Sequence, residues 1–82
     1  MRARTVAVAW VLRMRRPGGG WVRRLDDPRD TEHTIAVVEA QERREGSRLD
    51  VDLVGADGAR FATVTRAVED GRWVDATEAR AS

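Results

Sequence analysis

The sequence lacks cysteine, lysine, asparagine and tyrosine, and it contains a single histidine, His33. Without cysteine the chain forms no disulfide and no thiolate metal site, and a lone imidazole makes a poor metal site. We therefore expect no metal ion and no cofactor. Of the two serines, Ser47 lies in a predicted turn and Ser82 is the last residue. Neither forms a recognisable nucleophile with His33, which we expect to have a polar surface or capping role, and we predict no catalytic residue.

Long apolar segments are also missing. The longest one, residues 5–12, has eight residues, whereas a membrane-spanning helix needs about 20. It ends at Arg13 and no small-residue cleavage site follows, so it does not fit a secretion signal either. We expect a cytoplasmic protein that makes no contact with a membrane.

Because lysine is missing, all fifteen basic residues are arginine. Together with the abundant Ala, Val, Asp and Glu, this composition is typical of a high-GC bacterial genome, so the arginines alone say little about function. A domain of 82 residues buries only about 60–65% of the surface that its unfolded chain exposes. Such a small core makes self-association, or docking on a larger protein, an expected source of stability.

The charges are unevenly placed along the chain. Residues 1–25 contain seven arginines and no acidic residue, a net charge of +7. Residues 26–82 contain eight arginines and fourteen acidic residues, a net charge of −6. An asymmetry of this kind bears on partners and on self-association rather than on fold.

Residues 48–76 are predicted to form a three-stranded antiparallel β-meander. Asp57-Gly58 and Asp70-Gly71 are typical of type I′ turns, in which both central residues have a positive φ. With these turns Val54 faces Phe61 and Val68 faces Trp73. The register separates an apolar face from a polar face. The apolar residues are Leu49, Val51, Leu53, Ala62 and Val64, and the polar residues are Asp50, Asp52, Thr63 and Thr65.

Residues 31–45 allow two interpretations. The β-branched residues at 34–38 favour a strand. The residues that follow favour a helix that is capped by Asp30 or Thr31 and ends before Gly46. We favour the strand and keep the helix as the alternative.

The basic N-terminal segment, residues 1–25, is predicted to form a strand or hairpin. Alternating apolar residues over 5–14 indicate a strand, with Trp10, Leu12 and Met14 on the same face. The Pro-Gly-Gly-Gly sequence at 17–20 ends this strand, and residues 21–25 return as a short partner strand. We expect the N-terminal strand to cover the apolar face of the meander.

Five arginines flank the Pro-Gly-Gly-Gly bend, and a tryptophan follows it. If their side chains gather around the bend, they form a site for a polyanion, because guanidinium groups bind phosphate and tryptophan stacks on bases. The same cations could instead bind an acidic partner or form a solvated surface. The bend lacks the Gly-Lys-Ser/Thr ending of a nucleotide-binding loop. The candidate residues are Arg13, Arg15, Arg16, Arg23, Arg24 and Trp21.

The meander adds one candidate contact surface and one pair of carboxylates. Val54 and Phe61 are apolar residues on the otherwise polar face, and they could mark a contact surface. Asp50 and Asp52 lie two residues apart on that face, where we expect them to be solvated rather than catalytic or metal-binding.

The predicted fold is one small domain over residues 1–82, mainly β, with roughly four to six antiparallel strands in a sheet or partial barrel. The helix interpretation of residues 31–45 makes it α+β. We expect a non-enzymatic interaction module, an accessory subunit or assembly component that binds itself or a larger protein. The alternative is a small nucleic-acid-binding protein that uses the arginine-rich bend. No small-molecule substrate is indicated.

Overall fold

The computed structural model describes residues 4–77, which form one open antiparallel sheet with a helix on one face. The predicted small β-rich domain is therefore confirmed, as a sheet rather than a barrel. The strand order is β2-β1-β3-β4-β5. The elements are β1 (Ala9–Arg16), β2 (Gly19–Leu25), α1 (Pro28–Gln41), β3 (Arg48–Val54), β4 (Arg60–Glu69) and β5 (Arg72–Asp75).

The meander over β3, β4 and β5 is confirmed, and its second hairpin has the predicted register. Val68 pairs with Trp73 and Glu69 with Arg72. Asp70 has a φ of 53° and Gly71 a φ of 77°. Both central residues thus have the positive φ of a type I′ turn.

The first hairpin differs from the prediction near its turn. Leu53 pairs with Ala62 as predicted, but the register then shifts and Val54 pairs with Arg60. Phe61 is the extra residue of this β-bulge, so the predicted pairing of Val54 with Phe61 is wrong. The predicted type I′ turn is also wrong: the Gly58 N–H donates to the Gly55 carbonyl, and of the two predicted turn residues only Gly58 has a positive φ, 82°.

Residues 28–41 form a helix, so the strand that we favoured for residues 31–45 is wrong and the helix interpretation is confirmed with earlier bounds. The cap is Asp27, not Asp30 or Thr31, and its side chain accepts hydrogen bonds from the N–H groups of two following residues. Pro28 occupies the first turn of the helix. Backbone N–H groups there have no partner within the helix, so the missing N–H of proline costs nothing. Within residues 4–77 the structure contains no helix with the length and apolar character needed to cross a membrane.

The N-terminal strand does not cover the meander, which corrects the prediction. Instead β1 lies beside β3 in the same sheet, with Leu12 paired with Val51 and Met14 with Leu49. These four buried side chains form the core cluster, and Ile35 and Val38 of α1 pack against it. The helix therefore provides the cover that we had assigned to β1.

Helix α1 does not cover the whole apolar face of the sheet, and the end near the β3–β4 turn remains open. Val64, predicted to be core, is 42% exposed, and Ala62 is exposed as well. Val6 and Val8 precede β1 and are also exposed. An apolar groove of about 440 Å³ remains open between α1 and the sheet. It is lined mainly by Trp10, Pro28, Ile35, Val51, Leu53 and Val64.

Candidate functional site

The face of the sheet opposite α1 carries arginines from four neighbouring strands. Side chains alternate between the two faces of a strand, so the residues between the core positions of β1 point away from the helix. Arg13 pairs with Asp50 and Arg15 with Arg48 across β1 and β3. We call the resulting surface the arginine face. Its arginines are Arg13, Arg15, Arg24, Arg48 and Arg60.

Asp50 lies at the centre of the arginine face and is only 3% exposed. Arg15 Nη2 donates to its Oδ2 (2.9 Å), and Arg48 Nε donates to its Oδ1 (3.3 Å). The Thr65 hydroxyl donates to the same Oδ1 at 2.6 Å. The predicted solvation of this carboxylate is therefore wrong, because charged and polar neighbours replace the water around it.

Asp52, two residues along β3, repeats this arrangement. Arg13 Nη2 and the Thr63 hydroxyl donate to its Oδ1 at 2.9 Å and 2.8 Å. Arg60 Nη1 lies 3.9 Å from the same oxygen. Two carboxylates thus bring four guanidinium groups together on the surface, three of them by hydrogen bonds and that of Arg60 by a longer ion pair.

The charge of Asp50 is stabilised by these neighbours. Burial by itself raises the pKa of the Asp50 carboxyl, but the hydrogen bonds from Thr65 and Arg15 and the positive charge of Arg48 outweigh it. The net result is a pKa below the ordinary value for aspartate. At neutral pH this carboxylate is an acceptor that orients arginines, and it has no proton to donate.

The arginine face remains positively charged after these pairs are counted. It has five arginines against three carboxylates, those of Asp50, Asp52 and Asp26, the last of which pairs with Arg24 at 3.3 Å, and this gives +2. The side chains of Arg15 and Arg60 are 64% and 61% exposed, so most of their N–H groups face solvent. A guanidinium has five donors, and each of these arginines uses only part of its set.

The β-bulge places an aromatic ring beside a cation on this face. Two residues of β4, Arg60 and Phe61, lie opposite a single residue of β3, and a bulge of this kind re-aims side chains. Both side chains line the same depression on the arginine face. The Phe61 residue is 41% exposed, so part of its ring is open to solvent.

This depression measures about 650 Å³, within the size range of ligand-binding clefts (about 300–1,000 Å³). Arginines and threonines form most of its wall, and Phe61 is the one aromatic side chain that lines it. Such a lining suits a charged, flat partner better than a purely apolar one. The side chains that line it are Arg13, Arg15, Arg48, Asp50, Arg60, Phe61, Thr63 and Thr65.

The predicted binding residues around the Pro-Gly-Gly-Gly bend do not form a single surface. The predicted hairpin is present, but strand alternation places Arg13, Arg15 and Arg24 on the arginine face. Arg16 lies on the helix side, where its Nη1 donates to Glu42 of the helix end (3.2 Å). Trp21 also lies on the helix side and packs against the core cluster.

Arg23 and His33 lie at a second cleft, between β2 and α1. This cleft measures about 540 Å³ and Trp21 forms part of its wall. Within residues 4–77 no carboxylate lies within ion-pair distance of Arg23. In the same part of the chain no group of three or more His, Cys, Asp or Glu side chains is arranged to hold a metal ion.

The candidate contact pair of Val54 and Phe61 is also divided. Val54 is 5% exposed, so it belongs to the interior, and only Phe61 offers surface. Sequence reasoning missed Arg48 and Arg60, which complete the arginine face. The strand register would have placed Arg48 next to Arg15 once β1 was paired with β3, but the bulge that turns Arg60 onto this face has no clear sequence signal.

A scan against protein-family models, a search of curated proteins and a search of solved structures each find no significant match to this chain. The geometry of the arginine face is therefore the main indication of function.

Proposed function

We propose that this chain is a non-enzymatic interaction module that binds an anionic partner through its arginine face. The observation that carries the proposal is the set of guanidinium groups that Asp50 and Asp52 hold on the open face of the sheet. Helix α1 lies on the other side, so an extended partner meets no obstacle from it. The net positive charge of the surface favours a partner rich in phosphate or carboxylate.

The ion pairs order the arginine side chains before a partner binds, and the surface keeps a net positive charge. A free arginine loses rotamer freedom when it binds, at about 0.5–1.5 kcal/mol for each ordered side chain. Arg13 and Arg15 are already held at 2.9 Å from their carboxylates. Their remaining N–H groups can bind a phosphate with less loss of entropy.

A catalytic role for the two carboxylates is a weaker hypothesis. A general acid or base needs a pKa near the working pH and a proton to exchange. The pKa of Asp50 is lowered instead, and the oxygens of Asp50 and Asp52 already accept hydrogen bonds from arginines and threonines. Their arrangement suits a structural role on a binding surface.

The test is a titration of the protein with three fluorescent polyanions at low salt: a single-stranded oligonucleotide, polyphosphate and poly-glutamate. The double variant Arg48→Ala/Arg60→Ala should bind at least one of them more weakly than the wild type does. For the oligonucleotide, loss of two phosphate contacts should also reduce the slope of log K against log salt by about 1.4.

The matched control is Arg29→Ala/Arg43→Ala, which removes the same charge from exposed positions on the helix side. Its affinities should stay close to those of the wild type. The proposal is overturned if none of the three polyanions binds at low salt. An equal loss of affinity in both double variants also overturns it, because net charge alone would then explain the binding.

A second candidate function is self-association, for which the apolar groove beside α1 is the specific observation. In a symmetric dimer the same patch meets itself. An apolar patch is complementary to its own copy, whereas the arginine face repels its own copy. We therefore propose that a second copy of the chain would meet at the groove around Val64, which is 42% exposed.

Light scattering after size-exclusion chromatography tests this second candidate. A dimer through the apolar groove should persist at high salt and dissociate in the variant Val64→Glu. The variant Val22→Glu, at a 69% exposed position on the other face of the sheet, is the matched control and should remain a dimer. A monomer at all concentrations and salts would rule this candidate out.

A further inference from the structure

We infer that the anionic partner of the arginine face is single-stranded nucleic acid, with one base stacked on Phe61. This inference rests on the proposed function and names the chemical class of the partner. It combines two observations: a half-exposed ring in a cationic depression, and arginines that line the same depression and pair with Asp50 and Asp52.

One edge of the Phe61 ring lies near Gly55. A Cβ atom added at Gly55 would lie 3.6 Å from Cδ1 of Phe61, and Gly55 itself is buried. The residue is 41% exposed, so part of the ring is open to solvent. Aromatic side chains that are open to solvent beside cations are where bases stack in proteins that bind single strands.

The bulge gives this ring a cationic neighbour on the same strand. Arg60 and Phe61 are consecutive, yet both line the depression, because the bulge breaks the alternation of β4. A nucleotide carries a flat base and a charged phosphate a short distance apart. Phe61 matches the base, and Arg60 with its neighbours Arg13 and Arg48 matches the phosphates.

Other polyanions use only half of this surface. Polyphosphate and acidic polypeptides supply negative charge but offer no ring to Phe61. A duplex keeps its bases stacked inside the helix, so its phosphates can reach the arginines while its bases cannot reach the ring. A single strand satisfies both features, because its bases are free to turn outward.

The site should show little preference for base sequence. Every base has a face that can stack, whereas reading a base edge requires free donors and acceptors in a fixed pattern. The carboxylates of the face already accept hydrogen bonds from arginines and threonines. RNA and DNA single strands share the required chemistry, so both belong in the test.

The experiment compares Phe61→Leu with Phe61→Tyr by fluorescence anisotropy at one fixed salt concentration. The probes are single-stranded DNA and RNA of about 12 nucleotides, an abasic oligonucleotide of equal length, and a duplex. Phe61→Leu keeps an apolar side chain but removes the ring, so its affinity for the native strand should fall about 5- to 150-fold, as expected for one stacked base. Phe61→Tyr should bind like the wild type.

The abasic oligonucleotide separates this inference from the proposed function. It keeps the phosphates, so the wild type should bind it weakly and Phe61→Leu should leave that affinity unchanged. If native and abasic strands bind equally well and Phe61→Leu has no effect, base stacking is wrong while polyanion binding stands. If no strand binds, the inference is wrong, and the proposed function is wrong as well if polyphosphate and poly-glutamate also fail to bind. Tighter binding of the duplex than of the single strands also overturns the inference. Circular dichroism of each variant shows that the fold is intact.

Discussion

The two faces of the sheet are stabilised by different interactions, although the same strands supply both. On the helix side Leu12, Met14 and Leu49 are buried beneath α1, and apolar burial is the main contribution. On the arginine face a carboxylate is buried, that of Asp50, and two arginines and a threonine hold it. The helix excludes water from the apolar face. On the arginine face, ion pairs and a hydrogen bond from Thr65 take the place of water around the Asp50 carboxylate.

This difference changes the meaning of the charge asymmetry along the chain. The basic N-terminal segment and the acidic remainder meet inside the fold, because β1 lies beside β3. Arg13 and Arg15 find Asp52 and Asp50 within the same molecule. The asymmetry therefore gives weaker support to self-association than the sequence alone indicated.

The largest expected effect is on the helix side. Leu49→Ala removes a side chain that is 0% exposed, and such a cavity costs about 3 kcal/mol of the free energy of unfolding. The matched control on the other face is Val22→Ala, at a 69% exposed residue, with an expected change below about 0.5 kcal/mol. Urea denaturation of both variants measures the difference. Equal losses would show that the two faces do not differ in burial.

The next effect should come from the centre of the arginine face. Asp50→Ala leaves the buried Thr65 hydroxyl without its acceptor, which costs about 1–2 kcal/mol. The arginine pairs add less, since the side chains of Arg15 and Arg48 are largely exposed and screened by water. As a control, Asp26→Ala breaks an exposed pair with Arg24 and should have almost no effect. If Asp50→Ala were equally silent, the ion pairs would contribute nothing to that face.

Substitutions at the start of α1 test how much the helix cap contributes to stability. Asp27 accepts hydrogen bonds from the N–H groups of Arg29 (2.8 Å) and Asp30 (3.2 Å), so Asp27→Ala should cost about 1 kcal/mol. Asp30→Ala, at the position that the sequence indicated as a cap, should cost less, about 0.3–0.5 kcal/mol through the helix dipole. Thermal unfolding compares the two. The reverse order would move the cap to Asp30.

The smallest expected effect is a difference in acid sensitivity. The pKa of Asp50 is lowered in the folded state, so this group stabilises the fold above its unfolded pKa of about 3.9 and loses that contribution as the pH falls through the folded value. Below about pH 4 the wild type should therefore lose stability more steeply than Asp50→Asn. Parallel curves for the two proteins would contradict the role of this carboxylate.

Part of this architecture was predictable from local signals. Asp70-Gly71 indicated the register of the second hairpin, because a type I′ turn at these two residues makes the flanking residues match in charge and in apolar character. A strand was favoured over the helix for residues 31–45 because residues 34–38 are rich in β-branched side chains. The stronger signal was Asp27-Pro28, a cap followed by a proline in the first turn, and the packing of Ile35 and Val38 against the sheet overrides their strand preference.

The candidate site was less predictable, for a physical reason. Arginines that are close in sequence around the Pro-Gly-Gly-Gly bend are separated by strand alternation, which sends Arg15 and Arg16 to opposite faces. Arginines that are distant in sequence, such as Arg15 and Arg48, are brought together by pairing between β1 and β3. Long-range pairing and a bulge determine this surface, and neither leaves a local pattern.

The central position of β1 has a consequence for how the chain folds. The β1–β2 hairpin and the meander are local and can form within about 1–10 μs each. Joining them requires β1 to meet β3, and the ion-paired side chains of Arg13 and Asp52 on these strands are 39 positions apart. Such closure is slow because chain entropy must be lost first. At this step the basic β1–β2 hairpin and the acidic remainder of the chain attract each other. This attraction favours the approach of β1 to β3 and so speeds the folding of a single chain.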